Sequence, residues 1–375
     1  MAGNYGFLTA YPPSLCGVAT FSAALRRHLM ALVPDSCVEV VRAVDQAGLS
    51  APAEVVHDLV KGSPRSVVVA AEVLNGFDVV VVQHDHDIYG GRDGEELLDL
   101  LELVDVPVIV VLHAVLTQPT RHQRLVLTRV VDRADAVVTM SDAAARRLLD
   151  GYTVDPDKLV VIPHGAPADG LAMAALARAR PTILTWGLLG PDKGIETAIS
   201  ALPGLRDLEP RYVVAGQTHP RVLTHTGRQY HDSLRAHASA LGVADMVEFI
   251  PTYLDPHSLG QLIRQARVVL LPNDSTEQVT SGVLVEAIAA RRPVVATCFP
   301  HAVEMLSNGC GLVVPYQDSA ATSRALRRVL TEPGLAVAMT GKASALAPEL
   351  RWPVVAERYR WLADSLLIAG TAVPR

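Results

Sequence analysis

Short runs of Val and Ile recur at helix-length intervals along almost the whole chain, and few folds accommodate that rhythm. An apolar run without polar alternation reads as a strand buried on both faces. When helix-length segments separate such runs, the arrangement that buries them is a parallel sheet covered by crossover helices. In the first half the runs are Tyr5 to Tyr11, Cys37 to Ala43, Asp78 to Gln83, Pro107 to His113, Ala136 to Ser141 and Leu159 to Pro163. The second half repeats the pattern at Thr182 to Gly187, Arg211 to Gly216, Val247 to Pro251, Val268 to Pro272, Pro293 to Thr297 and Gly311 to Pro315. Two sets of six predict an α/β chain of two doubly wound, Rossmann-like domains, although no sequence repeat relates them. Ser66 to Leu74 has a Val-Val-Val core but helical flanks, and is expected to be a helix. The boundary is expected after Pro163-His-Gly165, where Gly165 to Gly170 mixes Pro, Gly and Asp ahead of the Ala-rich Leu171 to Arg180. This gives domains over 1–166 and 167–350, and a terminal segment over 351–375. In that last segment Val355, Tyr359, Leu362 and Leu366 recur at steps of three and four, the spacing of an amphipathic helix.

The 375 residues suffice for two cores, and half of them are apolar while 19% are charged, as in a well-buried globular protein. A net charge of −6 without a long Lys/Arg run argues against general nucleic-acid binding, which needs a basic face. Cys16, Cys37, Cys298 and Cys310 show no C-x-x-C spacing, so neither a zinc site nor a disulfide-stapled domain is expected, and a reducing cytoplasm fits. No apolar run approaches the ~20 residues that span a bilayer. Peripheral membrane contact stays open: Arg121 to Arg133 is basic, but its charges spread over the wide arc of a solvated helix.

Ligands of open α/β sheets bind beyond the carboxyl ends of the strands. The richest such segment is Gln278-Val-Thr-Ser-Gly-Val-Leu-Val-Glu286. A helix starting at Ser281-Gly282 offers the N–H groups of Ser281, Gly282, Val283 and Leu284, with the positive end of the helix dipole, to a phosphate. Glycine at 282 lets an oxygen approach the backbone, and Glu286 can accept hydrogen bonds from vicinal ribose hydroxyls. The same residues also describe an ordinary Ser-capped helix with a surface glutamate.

Other strand ends supply further groups. Gly17 opens a helix after the first strand, and His113 ends the fourth, where a neutral imidazole can hydrogen-bond a reacting hydroxyl or simply cap the strand. Gly187-Leu-Leu-Gly-Pro-Asp-Lys193-Gly-Ile-Glu196 places a lysine at the mouth of a helix, suited to phosphate or to solvent. This loop is neither a G-x-G-x-x-G fingerprint nor a Walker A sequence, and no G-x-S-x-G occurs. In extended chain His84-Asp-His-Asp87 would turn its two histidines to one side and its two aspartates to the other, so a strand-end loop is expected there rather than a metal site.

Taken in order, these segments resemble the retaining glycosyltransferases of family 4. Gln278 and Glu286 match that family's E-x7-E, with glutamine in place of the first glutamate. Pro293-Val-Val matches the strand that follows. Gly187 to Gly194 resembles G-R-L-x3-K-G with Leu188 in place of the arginine, Ile109 to His113 resembles V-x-T-x-H, and Ile162-Pro-His-Gly165 resembles I-P-N-G. Pro13-Ser-Leu-Cys-Gly-Val-Ala-Thr-Phe21, Gln83-His84 with Gly90-Gly91, and Gln278-Val-Thr-Ser-Gly282 are similar to a bacterial subgroup with P-x-x-C-G-I-A-T-F and Q-I-x-S-G.

The resemblance implies the GT-B fold: two Rossmann-like domains facing a cleft, with the last helix crossing back to the first. It implies metal-independent, cofactor-free transfer of a hexosyl group, mannosyl or glucosyl, from a nucleoside diphosphate sugar to the hydroxyl of a glycan, glycolipid or small molecule, with retained configuration. In that reading Glu286 holds the ribose, and Lys193 with the amides of Gly282, Val283 and Leu284 holds the diphosphate. The base lies against backbone near Thr252 and Tyr253, while His113 and Gly17 line the sugar. A noncatalytic GT-B protein binding a nucleotide sugar or glycan, and a sugar phosphorylase or epimerase, are the alternatives. Neither base, sugar nor oligomeric state is specified.

Overall fold

The computed structural model describes residues 3–32, 37–48, 50–167, 180–227 and 229–372. Contacts divide the chain into Met1–Gly165 with Trp352–Arg375, and Ala166–Arg351. The segments Gly165 to Gly170 and Leu171 to Arg180 fall mostly outside the described residues.

In the first unit the strands are β1 (Tyr5–Thr9), β2 (Val38–Val44), β3 (Val55–Val60), β4 (Val79–His84), β5 (Val108–Leu112), β6 (Ala136–Thr139) and β7 (Leu159–Val161). The helices are α1 (Gly17–Leu32), α2 (Pro64–Leu74), α3 (Glu96–Leu101), α4 (Arg121–Arg133) and α5 (Asp142–Gly151). All pairings are parallel, in the order β3-β2-β1-β4-β5-β6-β7. The expected six strands lie in this sheet, and β3 is a seventh. Its sequence, Val-Val-His-Asp-Leu-Val, carries two central polar residues and only Leu59 is fully buried, so this edge strand lacks the continuous apolar run of its neighbours. Ser66 to Leu74 is helical as expected, started by Pro64 and by Ser63, whose side chain accepts the Ser66 N–H.

The second unit orders its strands β10-β9-β8-β11-β12-β13, again all parallel. These are β8 (Thr182–Trp186), β9 (Arg211–Ala215), β10 (Val247–Ile250), β11 (Val268–Leu271), β12 (Val294–Thr297) and β13 (Gly311–Val314), one for each run read from the sequence. Helices α6 (Ile195–Ala201), α7 (Pro220–Thr226), α8 (Gln229–Ala240), α9 (Pro256–Gln265), α10 (Gly282–Ala289), α11 (Pro300–Leu306), α12 (Ser319–Thr331) and α13 (Leu335–Leu346) connect and cover them. Alternate residues of the central strands enter opposite cores: Ile183, Tyr212 and Val214 on one face, Leu184, Val213 and Val269 on the other. Burial on both faces explains why these strands lack the polar alternation of a half-exposed sheet.

The last helix, α14 (Trp352–Ala372), belongs to the first unit. Trp352, Val355, Tyr359 and Leu362 join Phe21, Leu25 and Leu29 of α1 in one core. The Trp352 ring lies so close to Gly165 that a Cβ there would sit 2.2 Å from it. Trp352→Ala is therefore expected to cost roughly 3–5 kcal/mol in urea unfolding. Trp361→Ala, at an indole 70% exposed on the same helix, should change stability by about 0.5 kcal/mol or less. Equal effects would contradict this packing.

Candidate functional site

In each sheet the strand order reverses direction at one place, between β1 and β4 in the first unit and between β8 and β11 in the second. The loops leaving adjacent strands diverge there, opening a crevice at the carboxyl edge.

In the second unit the crevice is bounded by the loop 187–194 after β8 and the loop 272–281 after β11. The backbone comes close at two points. Gly216, at φ 133°, would carry a Cβ 1.9 Å from the Gly187 oxygen. Gly194, at φ 61°, would carry one 2.0 Å from the Pro272 oxygen. No L side chain fits either position, so glycine is what allows the Lys193 loop to lie on the end of β11. A hydrogen bond from the Asp274 N–H to the Asp192 oxygen, 2.9 Å, ties the two loops together. Lys193 Nζ lies 3.3 Å from Asp192 Oδ2 and is part-exposed.

The β11 loop leads into α10. Ser281 is its N-cap, and its hydroxyl accepts the Leu284 N–H at 3.2 Å. His301, buried at the start of α11, takes the Ser281 N–H on Nδ1 at 2.9 Å. This corrects the expectation that all four amides are open: Ser281 and Leu284 are bonded internally, and Gly282 and Val283 carry the N–H groups left over. The imidazole and the hydroxyl together fix the helix start, and the remaining pair has no acceptor among the described residues.

One turn on, Glu286 Oε2 accepts the indole N–H of Trp186 at 3.1 Å. Part of Glu286 stays open to solvent, yet protein crowds the carboxyl. Burial pushes its pKa up to about 7 from 4.5, against the opposing bond from Trp186. Gln278 sits in the loop with its Oε1 bonded by Asn273 Nδ2 at 2.6 Å. Thr252 and Tyr253 follow β10 and are exposed, and the Gly216 N–H bonds the Ile250 oxygen at 2.8 Å, linking this strand end to the glycine contact beside Gly187. The second unit thus brings Lys193, Gln278, Ser281 to Leu284, Glu286, Thr252 and Tyr253 to one edge of one sheet.

Gly17 and His113 lie at the corresponding edge of the first unit. Gly17 begins α1 with open space where a Cβ would point, so packing within the protein does not require glycine there. His113 follows β5, its Nε2 2.7 Å from Gln83 Oε1 and its ring edge-on to Phe21 at 5.1 Å. An amide oxygen only accepts, so Nε2 carries the proton and Nδ1 is the lone-pair nitrogen. Burial, then the neighbouring His164 and His84, lower its pKa to about 3. The rings of His84 and His86 meet edge-on at 5.4 Å. Among the described residues no group of three or more His, Cys, Asp or Glu side chains is placed to hold a metal ion.

Trp186, Asn273 and His301, which hold Glu286, Gln278 and Ser281, were not singled out by the sequence reading. Each stands at a strand end or just beyond one: Trp186 immediately before the Gly187 motif, Asn273 after β11, and His301 in Cys298-Phe-Pro-His after β12.

Comparison with known proteins agrees with this architecture. The sequence pattern of the family described as "Glycosyltransferase Family 4" matches residues 17–170, and that of "Glycosyl transferases group 1" matches 174–345. The chain belongs to the group 1, family 4 glycosyltransferases. It is 30% identical over 246 residues to a D-inositol 3-phosphate glycosyltransferase of Acidothermus cellulolyticus, covering 60% of this chain and 51% of that one. The chain spans about half the length of the curated relatives it matches. Among solved structures, sucrose-phosphate synthase from Thermosynechococcus elongatus superimposes with a TM-score of 0.79 at 18% identity, covering 98% of this chain and 99% of that one. HepE of Anabaena in complex with UDP and glucose does so with a TM-score of 0.76 at 15% identity, over 96% and 99%. The fold is GT-B.

Because Glu286 binds its proton more tightly in the folded state, its contribution to stability is greatest below pH ~4.5 and declines as pH rises toward about 7. Glu286→Gln is expected to remove that decline, measured as the pH dependence of urea unfolding. An unchanged pH profile would contradict the crowded environment of this carboxyl.

Proposed function

We propose that the protein transfers a hexosyl group, mannosyl or glucosyl, from a nucleoside diphosphate sugar to an acceptor hydroxyl with retention of configuration, and without a metal or cofactor. The observation that carries this reading is the pair of N–H groups at Gly282 and Val283 beside Glu286, at the crevice where the β8 and β11 loops part. Two amides and the helix dipole suit a diphosphate, with Lys193 on the adjoining loop. Glu286 Oε1 has no protein donor among the described residues and suits a ribose hydroxyl. Bound hydroxyls favour the ionised carboxyl, so nucleotide affinity should rise with pH through about 7.

As the sugar–phosphate bond breaks, its electron pair goes to a phosphate oxygen, where the amides and Lys193 stabilise the growing charge. The acceptor hydroxyl attacks from the leaving-group face and its proton passes to that oxygen. With its pKa lowered to about 3, His113 stays neutral and serves as a hydrogen-bonding group, not as a proton carrier. The relatives named D-inositol 3-phosphate glycosyltransferase and the neighbour bound to UDP and glucose support a nucleotide-sugar donor. Lys193→Ala and Glu286→Ala are each expected to lower transfer by about tenfold or more while circular dichroism shows the fold intact. Full activity in both variants overturns the reading, and the anomeric configuration of the product, read by NMR, tests retention.

A further inference from the structure

Strand β4 reads Val-Val-Val-Val and then ends on two polar residues, Gln83 and His84, that are as buried as the valines before them. The Gln83 amide is shut away from solvent, and its Nε2 has no hydrogen-bond partner. A buried amide with one half unpaired is costly, and an apolar side chain of similar length avoids that cost. Stability therefore does not account for glutamine at this position.

The amide makes one short contact: its Oε1 lies 2.7 Å from His113 Nε2. His113 is held from two further sides. Its main-chain N–H donates to the His84 oxygen at 2.9 Å, and the Phe21 ring of α1 stands edge-on to the imidazole at 5.1 Å. The Gln83 end of the strand is fixed in turn, because the Tyr89 hydroxyl donates to the Gln83 main-chain oxygen at 2.8 Å and lies 3.1 Å from the Leu8 oxygen. Backbone, amide and aromatic ring thus set the orientation of the imidazole. His113 is part-exposed, and its Nδ1 has no protein partner among the described residues.

The chemistry of the partner matters as much as its place. A carboxylate beside Nε2 would favour the imidazolium, whereas an amide oxygen accepts the Nε2 proton without adding charge. His84 and His164, with pKa values lowered by burial to about 3 and about 4, add none either. We propose that Gln83 is a positioning residue, fixing the tautomer of His113 so that Nδ1 presents a lone pair to a substrate hydroxyl. A fixed acceptor selects a group that can donate, and a substrate lacking that hydroxyl leaves the lone pair unpaired. The role toward substrate rests on the transferase reading; the tautomer of the free protein does not.

The test starts with the parent chain, its histidines labelled with 15N and the His113 signals assigned by their loss in His113→Asn. The expected spectrum at neutral pH shows a protonated Nε2 and an unprotonated Nδ1. A proton on Nδ1, or an even mixture of tautomers, overturns the inference before any variant at Gln83 is made. Gln83→Met keeps the length and removes the amide. It is expected to release the tautomer and to lower kcat by about tenfold or more, with the KM for nucleotide sugar little changed. Gln83→Glu keeps an acceptor oxygen, so it should retain the tautomer and recover part of kcat at high pH. Its carboxylate should make His113 bind a proton about tenfold or more tightly, so that activity is lost at a higher pH than in the parent on acidification. A Gln83→Met chain that is folded by its thermal midpoint, yet keeps the parent tautomer or the parent kcat, contradicts the positioning role. If the parent transfers sugar from no nucleoside diphosphate sugar, the transferase reading fails, and the tautomer, measured without substrate, still decides the role of Gln83.

Discussion

The start of α10 is the constraint on which the candidate donor site depends. Helix N-termini carry unsatisfied N–H groups, and most are quenched by a cap and by solvent. Here the Ser281 hydroxyl takes one and the His301 imidazole another, which fixes the helix and leaves Gly282 and Val283 without an acceptor among the described residues. Glu286 follows one turn later, held by Trp186 from the end of β8. Helix start, carboxyl and strand end are thus registered against one another by three hydrogen bonds, and the geometry survives only if Gly194 and Gly216 let the neighbouring backbones approach.

Electrostatics divides the two units. In the second, burial holds the Glu286 carboxyl at a pKa near 7, so its charge state is poised to respond to a bound ligand. The histidines gathered at the corresponding edge of the first unit are held neutral by burial, His84 and His113 near 3 and His164 near 4. They offer lone pairs and N–H groups but no charge.

Much of this was legible in the chain itself. Apolar-rich runs announced the strands of the second sheet, most plainly β11 and β12, which are buried on both faces and apolar nearly throughout. β3 escaped because an edge strand tolerates His57 and Asp58. Lys193, Ser281 and Glu286 could be located because special backbone positions and helix starts leave local signatures. Trp186 and His301 could not, since each acts on a residue distant in sequence, 100 positions away for Trp186 and Glu286, and Asn273, five residues from Gln278, lies in a loop whose contacts follow no periodic pattern. The same nonlocality hid the assignment of amides: nothing near Ser281 in sequence says that a histidine twenty residues on will take its N–H.

The most direct test of the donor site is amide-resolved NMR on the full chain during titration with UDP, GDP and their sugar conjugates. Saturable movement of the Gly282 and Val283 resonances, with smaller shifts at the already bonded Ser281 and Leu284, is the predicted result. If every nucleotide leaves Gly282 and Val283 unmoved, or if shifts fall only in the first unit, then the start of α10 does not bind the donor and the account is wrong.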